Sequence, residues 1–229
     1  MAAEHGRFLR FTNADLRAPD AMSHLRDGVK AGAVGFGELK FSGELDAPES
    51  RRLYELAAEM NVPVLIHFQE NNSFSGFRRL PSIAREYRNT RFIGHANSWW
   101  AHISAQVDDK AGYPDGAIQP GGVTDRLLSD YPNVYGDLSA NSGRNALARD
   151  KEFAAKFLER HREKLMFGSD CGCVDGHGAG QQQGGALKGK CTAQETLALL
   201  KEMTNPALFK QLTVDNATTY FGFPKGYKP

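Results

Sequence analysis

Short apolar runs alternate with longer stretches in which apolar residues recur every three to four positions, almost from one end of the chain to the other. The short runs predict strands at residues 7–12 (RFLRFT), 33–39 (AVGFGEL), 62–68 (VPVLIHF), 91–95 (RFIGH), 133–138 (NVYGDL) and 164–168 (KLMFG). Between them, Pro19 and Asp20 precede AMSHLRDGVKAG, where Met22, Leu25 and Val29 share one helical face and Gly32 supplies a stop. Asp46, Ala47, Pro48 and Glu49 open a second helix with Leu53, Leu56, Ala57 and Met60 on its apolar face. Further helices are predicted at residues 77–87, 99–107, 122–131, 148–162, 193–203, 206–212 and 214–221.

Strand followed by helix followed by strand is the pattern of parallel βα units. The fold expected is α/β, of the (β/α)8 TIM-barrel type, with about six of the eight units in this chain. Residues 171–190 (CGCVDGHGAGQQQGGALKGK) carry no apolar period and are expected to form a long loop at the end of the last strand. No break in composition marks a boundary, so residues 1–229 are read as one barrel domain.

Composition narrows the partners more than it narrows the fold. A net charge of +1, from 28 Lys and Arg against 27 Asp and Glu, gives no reason to expect a nucleic acid or an anionic membrane as partner. A small-molecule substrate fits better, and the absence of a long apolar stretch in the opening MAAEHGRFLRF favours a cytoplasmic location. Cys171, Cys173 and Cys191 are an odd number confined to one short region, unlike a disulfide framework. They can be read as soft metal ligands, but they lack the paired C-x-x-C spacing of structural zinc sites.

The chemistry lies in where the polar residues fall. Glu38, His67, His95 and Asp170 each stand at the C-terminal end of a different apolar run, and in a parallel barrel those ends open on the one rim where active sites are built. Glu38 and His67 are 29 residues apart and His67 and His95 are 28 apart, close to the ~30 per βα unit of such a barrel. Imidazole and carboxylate together suit a divalent metal: zinc first, with manganese, iron or cobalt as possibilities. Such a metal makes hydroxide available near neutral pH. Each residue also has a plainer reading. A strand-end histidine can simply satisfy a loop carbonyl, and Glu38 can pair with Lys40 on the rim. Asp137 is read first as a cap for the turn after its strand, while His5, His24 and His161 are read as surface or helix residues. His102 is read as structural, His177 lies in the Gly-rich loop, and Trp99 and Trp100 either line a pocket or pack a helix on the barrel.

The segments VPVLIHFQ, RFIGHANSWW, NVYGDLSANSG, KLMFGSDC and LTVDNATTYFGF, in this order, resemble the amidohydrolase superfamily, in particular its amidohydrolase-2 branch, over nearly the whole chain. The resemblance implies that His67 is the histidine ligand after the fifth strand. It implies that Asp170 is the aspartate after the eighth, which binds metal and handles the proton of the attacking water. His95 matches the histidine after the sixth strand, a ligand in binuclear members and an acid/base or carbonyl-polarising group in others. Glu38 matches the fourth-strand position, where some members place a bridging carboxylate, and GFGELKF is similar to the corresponding stretch of TatD-type metal nucleases. The family's opening H-x-H has no counterpart here, so the strands are expected to be the third to eighth, with two units, on the order of 60 residues, lacking at the N-terminus.

The function expected is a metal-dependent hydrolase acting on a small ester, lactone or amide. The alternatives are a metal-dependent decarboxylase of the same branch, or a catalytically inactive oligomeric scaffold. Open parallel sheet edges favour pairing, so a homo-oligomer is expected.

Overall fold

The structure is a computed structural model and describes residues 8–109, 111–179 and 189–222. Among them, β1 (Phe36–Leu39), β2 (Val64–His67), β3 (Phe92–His95), β4 (Val134–Asp137) and β5 (Leu165–Met166) form one sheet in chain order. Every neighbouring pair is parallel. A parallel pair needs a crossover, and helices supply each one. α1 (Ala21–Lys30) precedes β1, and α2 (Pro48–Glu59) and α3 (Leu80–Glu86) lead into β2 and β3. α4 (Ala96–Ala101) and α5 (Val123–Asp130) cross to β4, and α6 (Ala140–Ala148) and α7 (Lys151–Arg160) cross to β5. The chain then runs through α8 (Thr192–Met203), α9 (Pro206–Lys210) and α10 (Asn216–Phe221), the last two joined by a π-helical turn at Gln211–Asp215.

The core lies between the sheet and these helices. Phe36, Val64, Ile66, Phe92, Val134 and Leu165 are fully buried from the sheet, against Leu25, Leu53, Leu127 and Phe157 from the helices. Each such side chain contributes about 1.5–3 kcal/mol when removed from water. In β2 and β4 burial alternates, so Leu65 and His67 share one less-buried face with Tyr135 and Asp137, while β3 is buried along its whole length. Trp99 lies over β3 because residue 94 is glycine: a Cβ there would meet the indole at 2.1 Å.

The fold is of the expected type, an incomplete (β/α) barrel, but the sixth strand is reduced. Val34 N–H donates to Arg10 O (2.9 Å) and Thr12 N–H to Gly35 O (3.0 Å), so this segment runs parallel to the β1 edge, yet only the bridge between Thr12 and Phe36 forms. Arg7 lies outside the described residues, as does His5. β5 is shorter than its apolar run because Phe167 N–H donates to Leu212 O (2.8 Å) in the π-helical turn and leaves the ladder. The helix expected at 99–107 starts earlier and ends at Ala101. The helix expected at 148–162 begins at Lys151, capped by Asp150 on Phe153 N–H. α6 has no counterpart among the expected helices, since ANSGRNALA is rich in weak helix formers. No helix among the described residues is long and apolar enough to cross a membrane.

Candidate active site

Parallel pairing sets the site's first two members side by side. His67 and His95 are register partners at the ends of β2 and β3, with their rings 5.4 Å apart, and Glu38 reaches both from β1. His67 Nδ1 is 2.6 Å and His95 Nε2 3.2 Å from the same carboxylate oxygen, Glu38 Oε1. Lys40 lies 3.4 Å from the other oxygen, so the rim ion pair expected as the alternative for Glu38 exists together with the histidine contacts. Asp170, past the end of β5, approaches more loosely: its Oδ2 is 3.9 Å from His95 Nε2, and its side chain is half-exposed. The donor atoms of Glu38, His67 and His95 all lie within 4.8 Å of one another, a grouping that a divalent cation fits.

The nitrogens turned away from this point are backed by further acceptors. His67 Nε2 lies 3.0 Å from Gln69 Oε1. His95 Nδ1 lies 3.0 Å from Ser139 Oγ and 3.3 Å from Asp137 Oδ2, and Ser139 donates its hydroxyl to that Asp137 oxygen (2.7 Å). Outer partners of this kind fix ring orientation and leave the inner nitrogen directed at a metal. Asp137 is thus not the expected turn cap: it stands behind His95, and Trp100 Nε1–H holds its backbone carbonyl at 3.1 Å. Its Oδ1 is buried with no hydrogen-bond partner among the described residues, and a Cβ at Gly168 would meet that atom at 2.6 Å. Gln69 and Ser139 carried no readable signal in the sequence. Asp137 did, since it ends an apolar run as Glu38, His67 and His95 do.

The charges reinforce one another. Burial opposes the Glu38 carboxylate, but hydrogen bonds from His67 and His95 outweigh it and hold Glu38 well below the usual carboxylate range. Burial likewise opposes a charged His95, but Asp137 and Glu38 on either side raise it to about 10. The backbone is strained around the same rim: Ala96 (φ 75°), Ala140 (φ 63°) and Asp170 (φ 42°) adopt left-handed conformations just past the ends of β3, β4 and β5.

The remaining candidates fall elsewhere. His102 is buried, its Nδ1–H donates to Ser98 O (2.8 Å), and burial lowers its pKa. It also lines a cavity of about 80 Å³ with Gln69, Glu70, Asn97 and Asp109, beside the histidine pair. His161, read as a surface or helix residue, is buried, with Nε2 2.5 Å from Asp125. His24 and His177 are exposed. Trp99 and Trp100 are both buried and pack α4 on the sheet.

Residues 1–223 match the model of the amidohydrolase family Amidohydro_2. The chain belongs to the amidohydrolase family. No curated protein matches this amidohydrolase in sequence. Among solved structures it is similar to a 2,6-dihydroxybenzoate decarboxylase from Rhizobium (15% identity, TM-score 0.57), over 96% of this chain and 73% of that one. It is similar also to a probable 2-pyrone-4,6-dicarboxylic acid hydrolase from Acinetobacter baumannii (14% identity, TM-score 0.57), over 93% and 72%. A third is an amidohydrolase from Burkholderia multivorans with bound zinc (16% identity, TM-score 0.55), over 97% and 76%. At these identities the likeness is one of fold.

Proposed function

We propose that this amidohydrolase is a metal-dependent hydrolase acting on a small ester, lactone or amide. The observation that carries the reading is the convergence of Glu38 Oε1, His67 Nδ1 and His95 Nε2 on one point at the strand-end rim, with Asp170 beside it. Two imidazoles and two carboxylates suit zinc, with manganese, iron and cobalt as alternatives, and the zinc in the Burkholderia amidohydrolase supports that order. His67, Glu38, His95 and Asp170 would hold the ion. When bound, it would polarise a carbonyl and acidify water.

The protein's own groups divide the rest of the work. Asp170, the most exposed of the four, accepts the proton of the attacking water and returns it to the leaving oxygen or nitrogen. The water O–H bond breaks as the new C–O bond forms, so no covalent enzyme intermediate is needed. His95, oriented through Nδ1 by Ser139 and Asp137, has Nε2 alone free for the site and serves there either as a ligand or, where the ion is held without it, as the acid/base that polarises the carbonyl. Self-association into a homo-oligomer is part of the same proposal, because the described sheet is open and its β1 edge carries only the Thr12 bridge.

The test is dialysis against a chelator followed by zinc or manganese, assayed on a panel of esters, lactones and amides. Activity that disappears and returns is expected, and activity indifferent to both treatments contradicts the reading. The decarboxylase reading is supported by an equal likeness to the Rhizobium decarboxylase. Release of carbon dioxide from hydroxybenzoates, without hydrolysis of the panel, would favour it.

A further inference from the structure

A second group of ligating side chains lies outside the histidine rim. Cys171, Cys173 and Cys191 are far from a zinc-finger spacing, yet the loop brings all three sulfurs within 4.8 Å of one another. Cys171 Sγ and Cys191 Sγ are 3.6 Å apart. Two thiolates sharing one tetrahedral zinc at ~2.3 Å bonds stand about 3.8 Å apart, whereas a disulfide needs ~2.05 Å. The sulfurs are also lined with backbone donors. Gly178 N–H points at Cys173 Sγ (3.0 Å), the amides of Thr192 and Ala193 at Cys171, and that of Gln194 at Cys191. Cys191 is the residue that opens the twelve-residue helix α8, whose N-terminus favours negative charge. Asp175 Oδ1 accepts from Cys173 Sγ (3.3 Å) and from the amides of His177 (2.8 Å) and Ala179 (3.1 Å), which fixes the turn that presents Cys173.

We propose that Cys171, Cys173 and Cys191 form a second metal site, for a soft thiophilic cation such as zinc, separate from the Glu38, His67 and His95 centre. A disulfide would use two of the sulfurs and leave Cys173 without a role, whereas a metal uses all three together with the amides that stabilise thiolate. Each thiol gives up its proton to solvent on binding, and no redox step is involved. The site ties the start of the loop, immediately after Asp170, to the start of α8. Its role is to fix the segment that carries Asp170 on the rim.

The experiment uses the full chain purified under reducing conditions, stripped of metal and titrated with cobalt(II) while near-ultraviolet thiolate-to-cobalt charge transfer is followed. A band saturating at one equivalent is expected. It should be absent from the Cys171→Ser/Cys191→Ser variant and retained in His67→Ala, so it stands or falls independently of the catalytic reading. On the unaltered chain loaded with zinc, titrating the thiols with an organomercurial should release one zinc in step with their modification. The proposal is overturned if no charge-transfer band forms, if the band survives the double substitution, if the thiols react with no zinc released, or if reduced preparations hold a Cys171–Cys191 disulfide.

Discussion

The strand-end rim and the loop that follows β5 each gather three side chains of types that can ligate a metal, but they do so by opposite means. At the rim, Glu38, His67 and His95 come from three neighbouring strands, and the ladder fixes their spacing: His67 and His95 are register partners and cannot move apart without breaking the sheet. In the loop, Cys171, Cys173 and Cys191 are held by turns and by the first residues of α8, with no strand beneath them. The rim offers nitrogen and oxygen and the loop offers sulfur, so an ion bound at each is distinguished by its donor shell. Position imposed by a sheet suits chemistry that requires geometry, whereas a cluster imposed by a loop suits a clasp.

The largest effect that would separate the two regions is expected at His95. It is almost fully buried and sits between Glu38 and Asp137, so His95→Ala removes the group shared by two partly buried carboxylates and opens a void beneath the rim. Activity should fall about 10²–10⁴-fold and stability by about 3–5 kcal/mol, read from turnover and from urea unfolding. Cys173→Ser should move neither by a comparable amount. Equal losses at both positions would erase the distinction.

Next is the pH dependence of the metal-free chain. His95 is raised from 6.5 to about 10, so the stability it contributes is fully present below pH 6.5 and is lost as pH rises through 10. The loss is on the order of 5 kcal/mol. Glu38 is lowered from 4.5, so its contribution is present above pH 4.5 and is lost as pH falls. Urea melts should therefore give greatest stability between pH 4.5 and 6.5 and a steady alkaline decline. Metal at the rim replaces the proton between His95 and Glu38, so loading should flatten that decline, and metal affinity should climb with pH. A flat alkaline limb without metal would contradict the charge arrangement.

Asp137→Asn tests the outer layer. It should weaken zinc binding at the rim about 10–100-fold in chelator competition while leaving the thiolate charge-transfer band unchanged. The smallest effect is expected at Lys40→Ala, where the exposed pair with Glu38 is worth about 0–1 kcal/mol.

The same contrast explains what the sequence made legible. Strand ends recur with the βα rhythm, so the apolar pattern alone places Glu38, His67 and His95 on one rim. Asp137 obeys the same rule but loses out to a capping role, because nothing in NVYGDLS tells a cap from a carboxylate behind a histidine. Ser139 and Gln69 are placed by the turn after each strand, and no periodicity reports a turn's side-chain directions. The cysteines are weighed by their spacing, but proximity in a loop does not follow spacing rules: the three sulfurs lie within 4.8 Å of one another, with the Gly178 amide on Cys173. Helix α6 is invisible for a related reason, since Asn141, Ser142 and Gly143 have poor propensity and tertiary packing supplies what propensity lacks. The strand at residues 7–12 is over-read because its apolar pattern is real while its partner edge accepts a single bridge.

The central claim is that the rim binds a metal through nitrogen and oxygen donors. It is tested most directly by X-ray absorption at the zinc edge on the chain with all three cysteines replaced by serine and one equivalent of zinc added. The account predicts a nitrogen and oxygen shell at ~2.0–2.2 Å that disappears when His67 and His95 are also replaced by alanine. Zinc that is not retained, or a shell that does not change when the histidines are removed, would contradict it.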